Sequence, residues 1–319
     1  MLSALFKVKP IIDEASKEWI FDTFAWCMAQ MNGEYFQPNQ QLILTDMLYP
    51  QNLQCVEAIA DKVLTKTNQY IGMSNTAISL TPVKQFYHTY NFECSVDDLT
   101  KPTRKPFFSS TLYREHYQAR NATTANENNN IPLEIGYHES QLNQPDTFIA
   151  YLVEKQLTHI VKQQGVNPPT RKVTLTRAVD DKSPHKQTLT KTVDLIACFM
   201  GFGVIFSRAA SHLQSESNVE SNKNKRSEIK NVVKNNIKPK VSTNTALINK
   251  EHTEEIIYAL ALFCAIKNSD TKVIKQELTT DLYKLFNKAY KEVSLYLQQT
   301  TNPVHMLKQI NSSAAISSF

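Results

Sequence analysis

Glycine is scarce in this 319-residue chain. There are six, about 2% where roughly 7% is usual. Open nucleotide-binding sheets need glycine clusters and all-β sandwiches need turn glycines at short intervals, so both architectures are disfavoured and helices joined by polar loops are favoured. Cysteine is equally uninformative as a framework. The five residues Cys27, Cys55, Cys94, Cys198 and Cys264 are odd in number, widely spaced and never in a Cys-x-x-Cys pair, which argues against a disulfide scaffold or a zinc knuckle. No Gly-x-Ser-x-Gly occurs, so a nucleophile elbow is not expected. The opening MLSALFKVKPIIDEASKEW has no apolar core of signal-peptide length and no small-residue cleavage site, so an intracellular, cytoplasmic protein is expected. The longest apolar run, Leu195 to Phe206, contains two glycines and falls short of the roughly 20 residues a bilayer span needs. It reads as a buried helix, and no transmembrane segment is expected.

What the chain does have is a core's worth of apolar residues, 41%, with 20% charged and a net charge of +5. The charge is localised. Between Lys223 and Lys240 stand Lys223, Lys225, Arg226, Lys230, Lys234, Lys238 and Lys240 against the single acid Glu228, so this window carries the whole positive excess. It holds no aromatic on which a base stacks. Residues 213–250 therefore read as a disordered, solvated basic linker, with weak contact to nucleic acid or an acidic membrane through 223–240 as the other reading.

Periodicity predicts helices over Ser16 to Met31, with Ser16 as N-cap, and from Pro50 to about Lys66. Strands are predicted at Gln41 to Thr45, Ala77 to Val83, Phe86 to Cys94 and Ile131 to Tyr137, and a polar loop at Lys101 to Asn130. Further helices are predicted from Pro145 to a stop at Gly165, from Thr190 to His212, from Glu251 to Lys267 and from Val273 to Gln298. The fold class is α+β and mostly helical: a small β-sheet in the N-terminal half packed on a helical C-terminal half. Residues 1–212 and 251–300 are expected to form a single domain, and 301–319 a frayed tail.

Two polar residues stand out within the apolar helices, His159 and Asp194. Each alone has a plain structural explanation, a hydrogen-bonded helix histidine and an aspartate favourable at a helix start. Their setting adds another. The segment IPLEIGYHESQLNQPDTFIAYLVEKQLTHIVKQQG, then TVDLIACFMGFGVI, then EEIIYALALFCAI, resembles a bacterial family of zincin-like proteins of unassigned role. That family carries a helix ending in His-Glu-Leu-x-His, a helix opening Glu-x-x-Thr-Asp before an apolar Gly-x-Gly run, and a helix rich in Tyr-Ala-Leu-Ala-Leu-Phe. FDTFAWCMAQMNGEYF and LILTDMLYP also look like the family's N-terminal part, and the resemblance covers roughly Trp19 to Leu297.

The resemblance implies a zincin-like fold and a zinc site, in which two histidines four apart bind the metal and the intervening glutamate activates its water. Laid on this chain, the motif falls on Lys155, Gln156, Leu157, Thr158 and His159, and the downstream acids on Thr190 and Asp194. Lys155 as an ammonium cannot ligate, and Gln156 has no useful basicity. The implied function is a pseudo-enzyme, a metallopeptidase-like scaffold without cofactor that binds a protein partner or peptide or serves structurally. The ammonium of Lys155 is expected to pair with Asp194 in the metal's place. The alternative is a metal-dependent hydrolase with an altered zinc ligand set around His159 and Asp194. His185 and His212 are further candidates to approach His159, and Cys198 is expected to pack in its helix.

Overall fold

In a computed structural model, the described residues are 10–30, 41–53, 55–74, 77–82, 133–164, 167–171, 184–212 and 244–298. The expected strand at Phe86 to Cys94, the loop at Lys101 to Asn130, residues 213–243 of the basic linker and the tail 301–319 lie outside them. Contacts gather the chain into two compact units, Thr45–Ile160 and Met1–Leu44 with Val161–Phe319.

The first unit holds α2 (Thr45–Leu48), α3 (Val56–Ile71), strands β1 (Ile78–Pro82) and β2 (Leu133–Tyr137), a 3-10 turn (Glu139–Asn143) and most of α4 (Pro145–Gln164). β1 and β2 pair in parallel, Ile78 opposite Leu133 through Pro82 opposite Tyr137. Mostly helical architecture with one small sheet is thus the observed class among the described residues. Two expectations move. Residues 41–44 form no strand, and Thr45 begins a helix. Pro50 does not start α3; the helix begins at Val56 and closes on Gly72, whose φ of 80° supplies the left-handed C-cap. The core is built from Val63, Ile135, Tyr137, Phe148, Leu152 and Leu157. Tyr151 Oη donates to the Gly136 carbonyl, fixing α4 against β2.

The second unit contains α1 (Glu14–Gln30), α5 (Pro184–Ala197), α6 (Asn244–Lys267), α7 (Thr271–Glu277) and α8 (Thr280–Leu297). α5 passes through a π-turn (Cys198–Phe202) into helical residues 203–212. By length and apolarity alone, Leu189–His212 suffices to cross a membrane, but 83% of that window is buried inside the protein, the state of a core helix. Phe24 of α1 meets Phe199 edge-on, ring centroids 5.5 Å apart, and the buried stripe Ile256 to Ile266 of α6 faces the buried residues of α5 and α8.

Three boundaries differ from expectation, each for a local reason. Asp13, not Ser16, caps α1: its Oδ1 accepts the Ser16 amide at 2.7 Å. α6 begins seven residues earlier than Glu251, within the expected linker. The expected helix Val273 to Gln298 is two helices, because Leu278 and Thr279 are extended and end α7.

Candidate functional site

The residues on which the resemblance lays the zinc motif divide between the two units. In α4, Lys155 Nζ lies 3.5 Å from Glu154 Oε1 and 5.3 Å from the centre of the Tyr151 ring, so its charge is met by a carboxylate and an aromatic face. Gln156 is fully buried. Its Nε2 donates to Thr67 Oγ1 at 3.1 Å and to Asn68 Oδ1, tying α4 to the end of α3. His159, one turn further on, is half-buried. In the other unit Thr190 is exposed, and Cys198 is fully buried with its Sγ 3.9 Å from the Ile256 carbonyl oxygen, packing as expected. His212 is exposed at the end of the 203–212 helical run. The side chain of His185 lies outside the described residues.

Asp194 is the motif position around which a polar centre has formed. Its carboxylate keeps only 2% of its exposure, and its Oδ2 accepts from His252 Nε2 at 2.7 Å. The cation bonded to Asp194 is therefore His252 of α6, where sequence reasoning nominates Lys155. The other ring nitrogen, Nδ1, lies 3.2 Å from Glu255 Oε2, one turn along the same helix. Glu255 is fully buried and collects three more groups: Ser16 Oγ donates to Oε1 at 3.1 Å, Arg171 Nη1 reaches Oε1 at 3.2 Å, and Lys191 Nζ stands 3.8 Å from Oε2. Arg171 also bonds Glu251 at 2.7 Å and Asp13 at 2.6 Å. Four carboxylates from α1's cap, α5 and α6 thus surround three basic groups, and a protonated His252 brings them close to balance.

The electrostatics follow from this arrangement. Burial works against an imidazolium at His252, but the hydrogen bonds it donates to Asp194 and Glu255, with the attraction of Asp194, outweigh it and raise its pKa above the ordinary 6.5. Burial likewise pushes Glu255 up, and His252, Lys191 and Arg171 together bring it below its ordinary 4.5. Asp13 is lowered by its bonds to Ser16 and by Arg171, again against burial. An imidazole that donates from both nitrogens has no lone pair to offer a metal.

The zinc site implied by the resemblance does not fit these residues. Gln156 is spent on the α3 contact, Lys155 on Glu154, and Asp194 on His252. Among the described residues no group of three or more His, Cys, Asp or Glu side chains is placed to hold a metal ion. Sequence reasoning missed His252, Glu255 and Arg171 altogether. The available signal was His252-x-x-Glu255 at helical spacing directly before the apolar run of α6, which reads as a polar first turn once the helix is started at Glu251. Comparison with family models, with curated proteins and with solved structures finds no match to this chain.

Proposed function

We propose that this chain is a zincin-like protein that has lost its hydrolytic equipment and serves as a binding or structural protein. The observation that supports the reading best is the partner of Asp194. A buried carboxylate at the metal-side position needs a counter-charge, since an unpaired buried charge costs roughly 3 to 5 kcal/mol. His252, held from its far side by Glu255, supplies that charge with organic groups alone. The second support is Gln156, whose amide is built into a buried contact with Thr67 and Asn68 instead of facing a reacting water. A side chain used this way stabilises packing and offers no general base.

Zinc content of the purified full chain, with thermal unfolding before and after chelation, tests this reading. Substoichiometric zinc and a melting temperature unmoved by chelator are expected. One tightly bound zinc per chain, whose removal lowers the melting temperature, would overturn it in favour of a metal-dependent hydrolase using His159 and Asp194.

A further inference from the structure

The charge cluster is crossed by a short piece of chain that belongs to neither helix nor strand. Residues 167–171 are irregular, yet they touch three helices. The Pro169 carbonyl accepts from Trp19 Nε1 of α1 at 3.0 Å and from Thr192 Oγ1 of α5 at 3.4 Å. Two positions on, Arg171 ties the capping residue of α1, Asp13, to Glu251 and Glu255 of α6. We propose that residues 167–171 form a strap that closes the Asp194–His252–Glu255 cluster from solvent, and that opens locally when the Arg171 ion pairs are lost, without unfolding of the helices beneath.

Three observations carry this. First, the strap stands where the cluster meets solvent. Glu255 and Asp194 are buried and His252 keeps 14% of its side-chain exposure, while two of the strap's contacts fall on Glu255 itself and on Thr192, two residues before Asp194. Second, the latch is weak on its outer side. The partners Asp13 and Glu251 are more than half exposed, so salt screens those pairs, and only the Arg171–Glu255 contact is sheltered. Third, the parts differ in how they are held. The helices below bury long apolar runs, Leu195 to Phe206 and Ile256 to Ile266, whereas of the strap only Pro168 is buried, with Asn167 and Thr170 exposed. Segments with few apolar contacts are those that open below the global unfolding free energy. Consecutive prolines, Pro168 and Pro169, restrict its φ angles, so the strap moves as a stiff piece. The inference does not depend on the zincin-like reading.

The test is single-hit labelling of the full chain with diethyl pyrocarbonate, read by mass spectrometry at His252 with exposed His212 as the internal reference. Amide hydrogen exchange across 256–266 is followed in parallel. In the wild-type protein His252 is expected to react slowly and to speed up at 0.5 M salt relative to His212, as the outer ion pairs are screened. In Arg171→Gln its labelling is expected to rise about tenfold, with exchange across 256–266 unchanged. Unchanged labelling in the variant, or labelling that rises only in step with exchange across 256–266, would overturn the proposal. Should Arg171→Gln fail to fold, labelling of the wild type in sub-denaturing urea decides. A rate nearly independent of urea supports local opening, and a rate that climbs with the slope of global unfolding refutes it.

Discussion

At the scale of single residues, burial forces each polar group to find a partner, and two substitutions test the partners found. His252→Ala leaves Asp194 and Glu255 as buried carboxylates without the group between them, and is expected to cost about 3 to 5 kcal/mol in urea unfolding at pH 6. The same residue sets a pH dependence. Because the folded pKa of His252 is raised above 6.5, its stabilisation is complete below that value and is lost as pH climbs through the folded pKa. Glu255 has the opposite sign: its contribution is complete above 4.5 and is lost as pH falls through its lowered folded pKa. The cluster is therefore most stabilising between about pH 4.5 and 6.5. His252→Gln should flatten the alkaline decline in wild-type stability, and an unchanged decline would show that another group causes it. Gln156→Glu, which puts a glutamate where the resembled zincin motif carries one, places a carboxylate against Thr67 Oγ1 and Asn68 Oδ1 in a fully buried position. It is expected to destabilise by about 3 kcal/mol, the scale of a buried charged group deprived of its bonds, and to yield no peptidase activity. Wild-type stability in this variant would mean that the side chain can reach water.

At the scale of elements, the two glycines of the Gly-x-Gly run have different jobs, which mutation can separate. Gly201 sits in the π-turn with φ of 96°, and a Cβ there would stand 2.9 Å from the Gln41 carbonyl oxygen. Its own carbonyl accepts the Ile43 amide at 3.0 Å, so the turn docks residues 41–44. Gly203 is ordinary helix, where an added Cβ meets the Leu260 side chain at 2.9 Å. Gly201→Ala is expected to cost about 2 to 3 kcal/mol, because left-handed backbone and a backbone oxygen both resist it. Gly203→Ala is expected to cost about 1 kcal/mol or less, since the gain in helix propensity offsets most of the crowding against a side chain that can shift. Equal costs in thermal or urea unfolding would contradict the division. Sequence carried the helices well where one face was plainly apolar, as at α4. It carried β1 and β2 because β-branched and aromatic residues cluster there. It did not carry the break at Leu278 and Thr279, since an extended pair inside a helical period leaves the apolar spacing nearly intact. Nor did it carry the charge cluster, whose members Asp13, Arg171, Asp194 and Glu255 lie far apart in the chain. Asp194 alone was legible, because an acid at the head of an apolar run is conspicuous, whereas His252 and Glu255 look like a soluble helix start.

At the scale of the whole molecule, the charge distribution separates the helical scaffold from its basic segment. The net +5 rests on the window Lys223 to Lys240, so a chain lacking that window is slightly acidic at pH 7. Long-range attraction to a polyanion must then come from this window if it exists at all. With at most seven cations and no aromatic to stack on a base, such binding is electrostatic and indifferent to sequence. The slope of log affinity against log salt is bounded in magnitude at about 6 on duplex DNA. Deleting residues 223–240 is expected to abolish retention on heparin and on duplex DNA at low salt, with anion-exchange retention appearing in its place. Residual DNA binding with a shallow salt slope after the deletion would point to a specific surface on the folded units, and would make nucleic acid a better candidate partner than the composition allows.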